Sequence, residues 1–214
     1  MRSERQMKKI NKAQPPKSFS EFVKKEKPIH WSECNSDVKS DSKETMLLYE
    51  QDFLCGYTEI FIDNEDCHID HYVKRSIDNR LCYVWENLIV AVNDDEFGAK
   101  YKDNGENCVK MIGDYSSIVN PVLEEAQYYF KYSLDGQIDP ADELDDTKKL
   151  KANRTIEVFY LNHQSLKTRR KDIAYAIKAL NDGGVETEAI TKFLEQLGFH
   201  SFTNYILDNY FNKY

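Results

Sequence analysis

The segment Cys67-His68-Ile69-Asp70-His71 sets two imidazoles and a carboxylate within four consecutive positions, His68 to His71. An imidazole titrates near neutrality and can take a proton from water. A carboxylate can hold a hard cation through oxygen. Further along stand an amide, Asn87, in Trp85-Glu86-Asn87-Leu88, and then Asn93 and Glu96. Side chains alternate along a strand, so His68 and Asp70 share one face and Ile69 and His71 the other. Asp70 and His71 can serve one site only where a strand ends or twists. The competing reading is a solvated surface strand with no chemistry.

The flanking pattern says what must hold these residues. Tyr57-Thr58-Glu59-Ile60-Phe61-Ile62 is rich in β-branched and aromatic types, and Asp63 to Asp66 is turn-forming. Together with the His68 strand this predicts a hairpin. Ser76 to Arg80 is polar loop. Tyr83 to Val92 is strongly apolar and stops at Asn93-Asp94-Asp95, where Asp94 or Asp95 can cap a short helix over Glu96 to Lys102. Gly98 weakens that helix without forbidding it.

Outside this core the pattern is mostly helical. Residues 1–29 are basic and carry Pro15-Pro16, with Ser18 placed to cap a helix from Phe19 to Glu26; Met7 reads as a more natural beginning than Met1. Asn35 to Glu44 is a polar patch, and Met46 to Phe53 has helical spacing. Asn120-Pro121 opens an amphipathic window over Val122 to Phe130. Tyr132 to Ile138 reads as a turn between two short strands, and Asp139 to Lys151 as a charged linker or an exposed helix start. A helix begins at Thr155, a long one covers Ser165 to Leu180 and stops at Asp182-Gly183-Gly184, and two more cover Thr187 to Gln196 and Phe202 to Phe211. The fold class is therefore α+β, a ββα core embedded in a mostly helical chain. The divisions are 1–45, a basic segment suited to docking a partner; 46–115, the core; and 116–214, helical.

Composition narrows the classes. The chain has 214 residues, 41% hydrophobic and 31% charged, as in ordinary globular proteins. No apolar run approaches a membrane span and the N-terminus is not signal-like, so the expected location is the cytoplasm, with no membrane partner. The five cysteines include no C-x-x-C and form an odd number, which argues against a disulfide framework. A net charge of −8 means that binding nucleic acid would need a local basic patch or a partner's surface.

An acid and an imidazole on a hairpin, an amide after a loop and a ligand-type residue on a helix form the order of a ββα-metal nuclease site of the HNH type. The stretches Leu54-Cys-Gly-Tyr-Thr-Glu-Ile, Cys67-His-Ile-Asp-His-Tyr-Val-Lys-Arg and Trp85-Glu-Asn-Leu resemble the HNH proteins of the Septu anti-phage systems, the PtuB family, some of which accompany retron reverse transcriptases. Met7-Lys-Lys-Ile-Asn-Lys, Asn120-Pro, Tyr132-Ser-Leu-Asp-Gly and Thr155-Ile-Glu-Val-Phe-Tyr-Leu-Asn-His-Gln-Ser-Leu-Lys-Thr-Arg-Arg extend the resemblance over most of the chain. It implies a metal-dependent endonuclease effector of DNA, or of RNA such as tRNA, working with a PtuA-like ABC/SMC-type ATPase, and in some cases with a retron reverse transcriptase and its RNA–DNA hybrid. It implies His71 as general base, Asn87 as the residue that positions it, and Asp70 as a ligand for Mg²⁺ or Mn²⁺. Glu96, or alternatively Asn93, would be the second ligand, with His68 in support. Relatives carry two cysteine pairs for structural zinc. Here Cys55 remains, but Thr58 replaces its partner, and Val92, Asp95 and Phe97 occupy the later positions, so no structural zinc is expected. The other class of function is a degenerate HNH fold kept as a non-catalytic adaptor or scaffold.

Several further residues admit two readings. His163, beside Asn162, is a buried histidine satisfied by backbone or a residue approaching the site or a partner. Arg154, Arg169, Arg170 and Lys171 form a solvated face or a strip that contacts phosphates. Lys74, Arg75 and Lys100 lie close in sequence to the core and are candidate nucleic-acid or partner contacts.

Overall fold

The computed structural model describes residues 9–211. The remaining terminal residues, and with them the beginning expected at Met7, lie outside the described residues.

The core is a two-stranded antiparallel sheet followed by a short helix. Strand β1 (Cys67–His71) pairs with β2 (Leu88–Val92), with Ile69 opposite Val90 and His71 opposite Leu88. Every residue of β2, Leu-Ile-Val-Ala-Val, is buried, which explains why it reads as an unbroken apolar run rather than as an alternation. Helix α1 (Lys17–Glu26) packs on α2 (Ser36–Tyr49), and α2 packs against both strands. Helix α2 begins within the run expected to be only a polar patch. The Asn35 side chain accepts from the Val38 N–H and caps it, and Val38, Ser42, Met46 and Leu47 turn inward. Ser18 does not cap α1; Pro16 stands at that position and the Ser18 hydroxyl bonds Asp41 instead.

The expected partner of β1 is corrected. Tyr57 to Ile62 does not pair with it. Cys55 N–H donates to Ile60 O at 2.8 Å and Glu59 N–H to Cys55 O at 3.0 Å, closing a tight turn with Glu59 at a φ of 59°. Ile60 then bridges to Gly198 near the C-terminus. The physical reason is burial. The apolar β2 gains more as the partner of β1, covered on both faces, than a segment that still exposes Phe61.

Helix α3 (Ala99–Asn104) starts later than Glu96 because Gly98, at a φ of 72°, breaks the chain direction and donates its N–H to Phe159 O at 2.8 Å. Asp94 caps only the turn before it, accepting from Glu96 N–H at 2.8 Å. No helix spans Val122 to Phe130: Asn120 Oδ1 accepts from Val122 N–H, a single 3₁₀ turn follows at Ala126–Tyr128, and Phe130 opens a strand.

The second small sheet pairs β3 (Phe130–Tyr132) with β4 (Ile138–Pro140), as the turn at Asp135-Gly136 predicts. Helix α4 (Asp146–Val158) is capped by Asp145, so the charged stretch before Thr155 is already helical. Helices α5 (Gln164–Asp182), α6 (Thr187–Leu194) and α7 (His200–Ile206) follow, and a π-helical turn over Leu207–Phe211 ends the described residues. A single apolar core runs from Phe19 on α1 to Phe202 on α7. None of the helices among the described residues is long and apolar enough to cross a membrane.

Candidate functional site

Asp70 and His71 lie at the end of β1, both 6% exposed. The ladder ends one pair further on: Tyr72 N–H still donates to Asn87 O at 2.8 Å, but Asn87 N–H turns away to Val84 O at 2.9 Å and closes the 3₁₀ turn that feeds β2. His71 Nε2 is 2.9 Å from Cys82 O. A carbonyl only accepts, so Nε2 carries the proton and Nδ1 is left as the acceptor. The indole of Trp31 meets the ring edge-on at 4.8 Å between centroids. Burial pushes the His71 pKa down to about 4, with the Arg75 charge adding to that effect and the Cys82 carbonyl opposing it. His71 is thus a neutral imidazole at neutral pH, held in one tautomer.

Asn87 does not touch the imidazole. Its Oδ1 accepts from Val73 N–H at 2.8 Å, and its Nδ2 donates to Val73 O at 3.1 Å and Leu81 O at 3.2 Å. It clamps the two ends of the loop that carries Cys82 to His71, and so positions the ring through the backbone.

Asp70 meets a cation from its own chain. Its Oδ2 accepts from Tyr57 Oη at 2.6 Å and lies 3.2 Å from Lys102 Nζ. Burial works against the Asp70 charge, but Lys102, then Tyr57 and His68, outweigh it and hold the carboxyl below its ordinary range. Lys102, on α3, is fully buried. Its ammonium also lies 2.9 Å from Asp103 Oδ1 and 3.0 Å from both His71 O and Tyr72 O. Burial opposes its charge too, and the two carboxylates overcome that and raise its pKa.

The residues expected to hold a divalent ion each meet other partners. Glu96 is exposed and faces His163 Nε2 across 3.7 Å, and Asn93 is exposed, with its N–H on Asp66 O. His68 shares the Asp70 face of β1, its Nδ1 buried without a hydrogen-bond partner. Among the described residues no three His, Cys, Asp or Glu side chains converge on a point that could hold a metal. Asp70 Oδ2 is taken up by Tyr57 and Lys102, and Glu96 faces His163.

The other candidates separate. Arg75 is exposed and near enough for its charge to bear on His71. Lys74 is partly buried and structural, its Nζ on Asp103 O and Val109 O. Lys100 pairs with Asp95 at 2.9 Å. His163 bonds the Ser165 hydroxyl at 2.9 Å and packs between Phe97 and Tyr160. Arg169 is exposed, but Arg170 is buried, donating to Gly136 O and Leu161 O at 2.6 and 2.8 Å, and is not free for phosphate.

Sequence reasoning missed Tyr57, Trp31, Lys102 and Asp103. Only Lys102 left a signal: it lies three residues after Ala99, on the buried face of α3. A scan against protein-family models and a search of the curated proteins found no match to this chain.

Proposed function

We propose that this chain is the nuclease subunit of an HNH-like defence complex, hydrolysing phosphodiester bonds with His71 as general base. The observation that carries the reading is the geometry of His71: Cys82 O fixes Nε2 as the donor, which leaves Nδ1 as the proton acceptor. Water gives its proton to Nδ1 and attacks phosphorus, the P–O bond to the leaving oxygen breaks and that oxygen takes a proton from solvent, while Arg75, exposed and close enough for its charge to bear on His71, is placed to meet the phosphate oxygens. Asn87 keeps the loop that orients the ring in place. Because water is the nucleophile, the chemistry ignores the 2′-hydroxyl and accommodates DNA or RNA. The Mg²⁺ or Mn²⁺ implied by the resemblance has no step here, since the Asp70 carboxylate is already engaged by Tyr57 and Lys102. A PtuA-like ATPase, with or without a retron reverse transcriptase, is the proposed partner. A chain of net charge −8 suits a subunit that borrows another's nucleic-acid surface.

One observation favours a second reading, a silent ββα scaffold: Tyr57 and Lys102 already satisfy the Asp70 carboxylate. A co-purified complex under activating conditions, given DNA and total RNA with Mg²⁺, Mn²⁺ or EDTA, separates the two. The nuclease reading expects cleavage that falls by 100-fold or more in His71→Ala, on the order of a lost general base, and sequencing of the new ends identifies the substrate. Equal cutting by wild type and variant, or no cutting at all, leaves the scaffold.

A further inference from the structure

We infer that Lys102 is the resident cation of the Asp70 site: its ammonium holds together four oxygens that would otherwise form a seat for a divalent ion. The inference rests on the ββα reading of this site but not on whether the site cleaves anything.

Asp70 Oδ2, Asp103 Oδ1 and the carbonyl oxygens of His71 and Tyr72 all lie between 2.9 and 3.2 Å from one atom, Lys102 Nζ. The two carbonyls accept hydrogen bonds from the ammonium and the two carboxylate oxygens lie at ion-pair distance, with Asp103 Oδ1 left without a hydrogen bond; all four separations are longer than the roughly 2.0–2.6 Å at which Mg²⁺ or Ca²⁺ takes oxygen. The donor set is the kind a hard cation prefers: two carboxylates and two backbone carbonyls, from the end of β1, the residue after it, and α3. Lys102 cannot swing out without opening the core, because its side chain has no exposed surface. The helix is pinned on either side of it by Gly98 N–H on Phe159 O and by Val109 N–H on Lys102 O. Lys74, 3.8 Å from Asp103 Oδ1, adds a second positive charge to the same carboxylate.

Lys102 touches no solvent and therefore no substrate. It is a positioning residue, and it acts on the peptide that carries His71: two of its contacts are the His71 and Tyr72 carbonyls, next to the ring whose Nε2 is fixed by Cys82. A metal in a comparable place would bind Asp70 and face the scissile phosphate. The ammonium binds Asp70 from within the core. The backbone around the proposed base is thereby held without any loaded ion.

The test reads binding, not cleavage. Thermal unfolding and manganese electron paramagnetic resonance are measured with Mn²⁺ and Ca²⁺ on wild type, Lys102→Ala, Asp70→Asn and the double variant. Wild type is expected to show no ion-dependent shift that Asp70→Asn removes. Lys102→Ala is expected to melt lower, to regain part of the loss with Mn²⁺ or Ca²⁺, and to bind Mn²⁺ at least ten-fold more tightly than wild type. The double variant should lose that gain, which a lysine acting only as packing would not produce. If Lys102→Ala does not fold alone, refolding with Ca²⁺ replaces melting: recovery only with the ion supports the inference, and failure with and without it overturns it. Mn²⁺ binding to wild type that disappears in Asp70→Asn also overturns it. The nuclease reading fails separately, by cleavage that does not depend on His71.

Discussion

His71 and Asn87 act on different atoms, and that division was only partly legible. An imidazole beside a carboxylate at a strand end marks a candidate base, but no spacing rule says which ring nitrogen will be tied down. The tie comes from Cys82 O, eleven positions away in a loop whose path Asn87 sets. The consequence can be measured as a dependence on pH. The unfolded imidazole titrates near 6.5, while burial brings the folded one to about 4. Above 6.5 both states are neutral and the group contributes no slope. Between 6.5 and 4 the unfolded state takes up a proton that the folded state refuses, so stability falls as pH falls. From pH 7 to pH 5 this amounts to roughly 2 kcal/mol. Urea unfolding of wild type and His71→Asn at the two pH values is expected to show that increment in wild type and a smaller one in the variant. Equal increments would mean that His71 is not held neutral.

At the scale of elements, what was legible is what local chemistry decides. The long α5, the turn between β3 and β4 and the apolar run of β2 were all readable from spacing and turn types. The partner of β1 was not, because pairing is a contest between distant segments and Tyr57 to Ile62 carries as good a β pattern as the strand that won. That stretch became a turn fastened to the other end of the chain. Phe199 N–H donates to Glu59 O at 2.7 Å, and Ser201 N–H donates to the buried Glu59 carboxylate at 3.0 Å. Gly198 allows this approach. It sits at a φ of 76°, and a Cβ there would lie 2.4 Å from Glu59 O and 2.7 Å from Phe61 N. Backbone atoms on two sides cannot yield as a flexible side chain would. Gly198→Ala is expected to cost more than about 2 kcal/mol in denaturant unfolding. Gly113→Ala, where nothing lies within 4 Å, should stay within about 0.5 kcal/mol of wild type. Similar losses at the two positions would mean that the fastening is loose. Lys102 left only its spacing from Ala99 as a signal, for the converse reason: a lysine in a short polar helix reads as solvated until the tertiary structure brings Asp70 against it.

For the whole molecule, charge decides how a hydrolytic centre could meet a polyanion. The net charge is −8, and several of the cations nearest the candidate site are already matched by an acid. Arg80 forks onto Asp78 at 2.9 and 2.8 Å, Lys100 pairs with Asp95, and Lys74 and Lys102 are spent on Asp103 and Asp70. Arg75, exposed beside His71, is the cation best placed to meet a phosphate. Each phosphate neutralised on duplex DNA contributes about 0.9 to the slope of log affinity against log salt. The chain alone should therefore bind a short duplex weakly, with a slope of magnitude below about 3, and Arg75→Ala should lower it by about 1. Fluorescence anisotropy across a salt series measures both. The same series on the complex with the proposed ATPase should be steeper and tighter, because the added phosphate contacts would belong to the partner. A steep slope from the chain alone would require further basic contacts besides Arg75. It would also remove the reason for treating nucleic-acid binding as a property of the assembly.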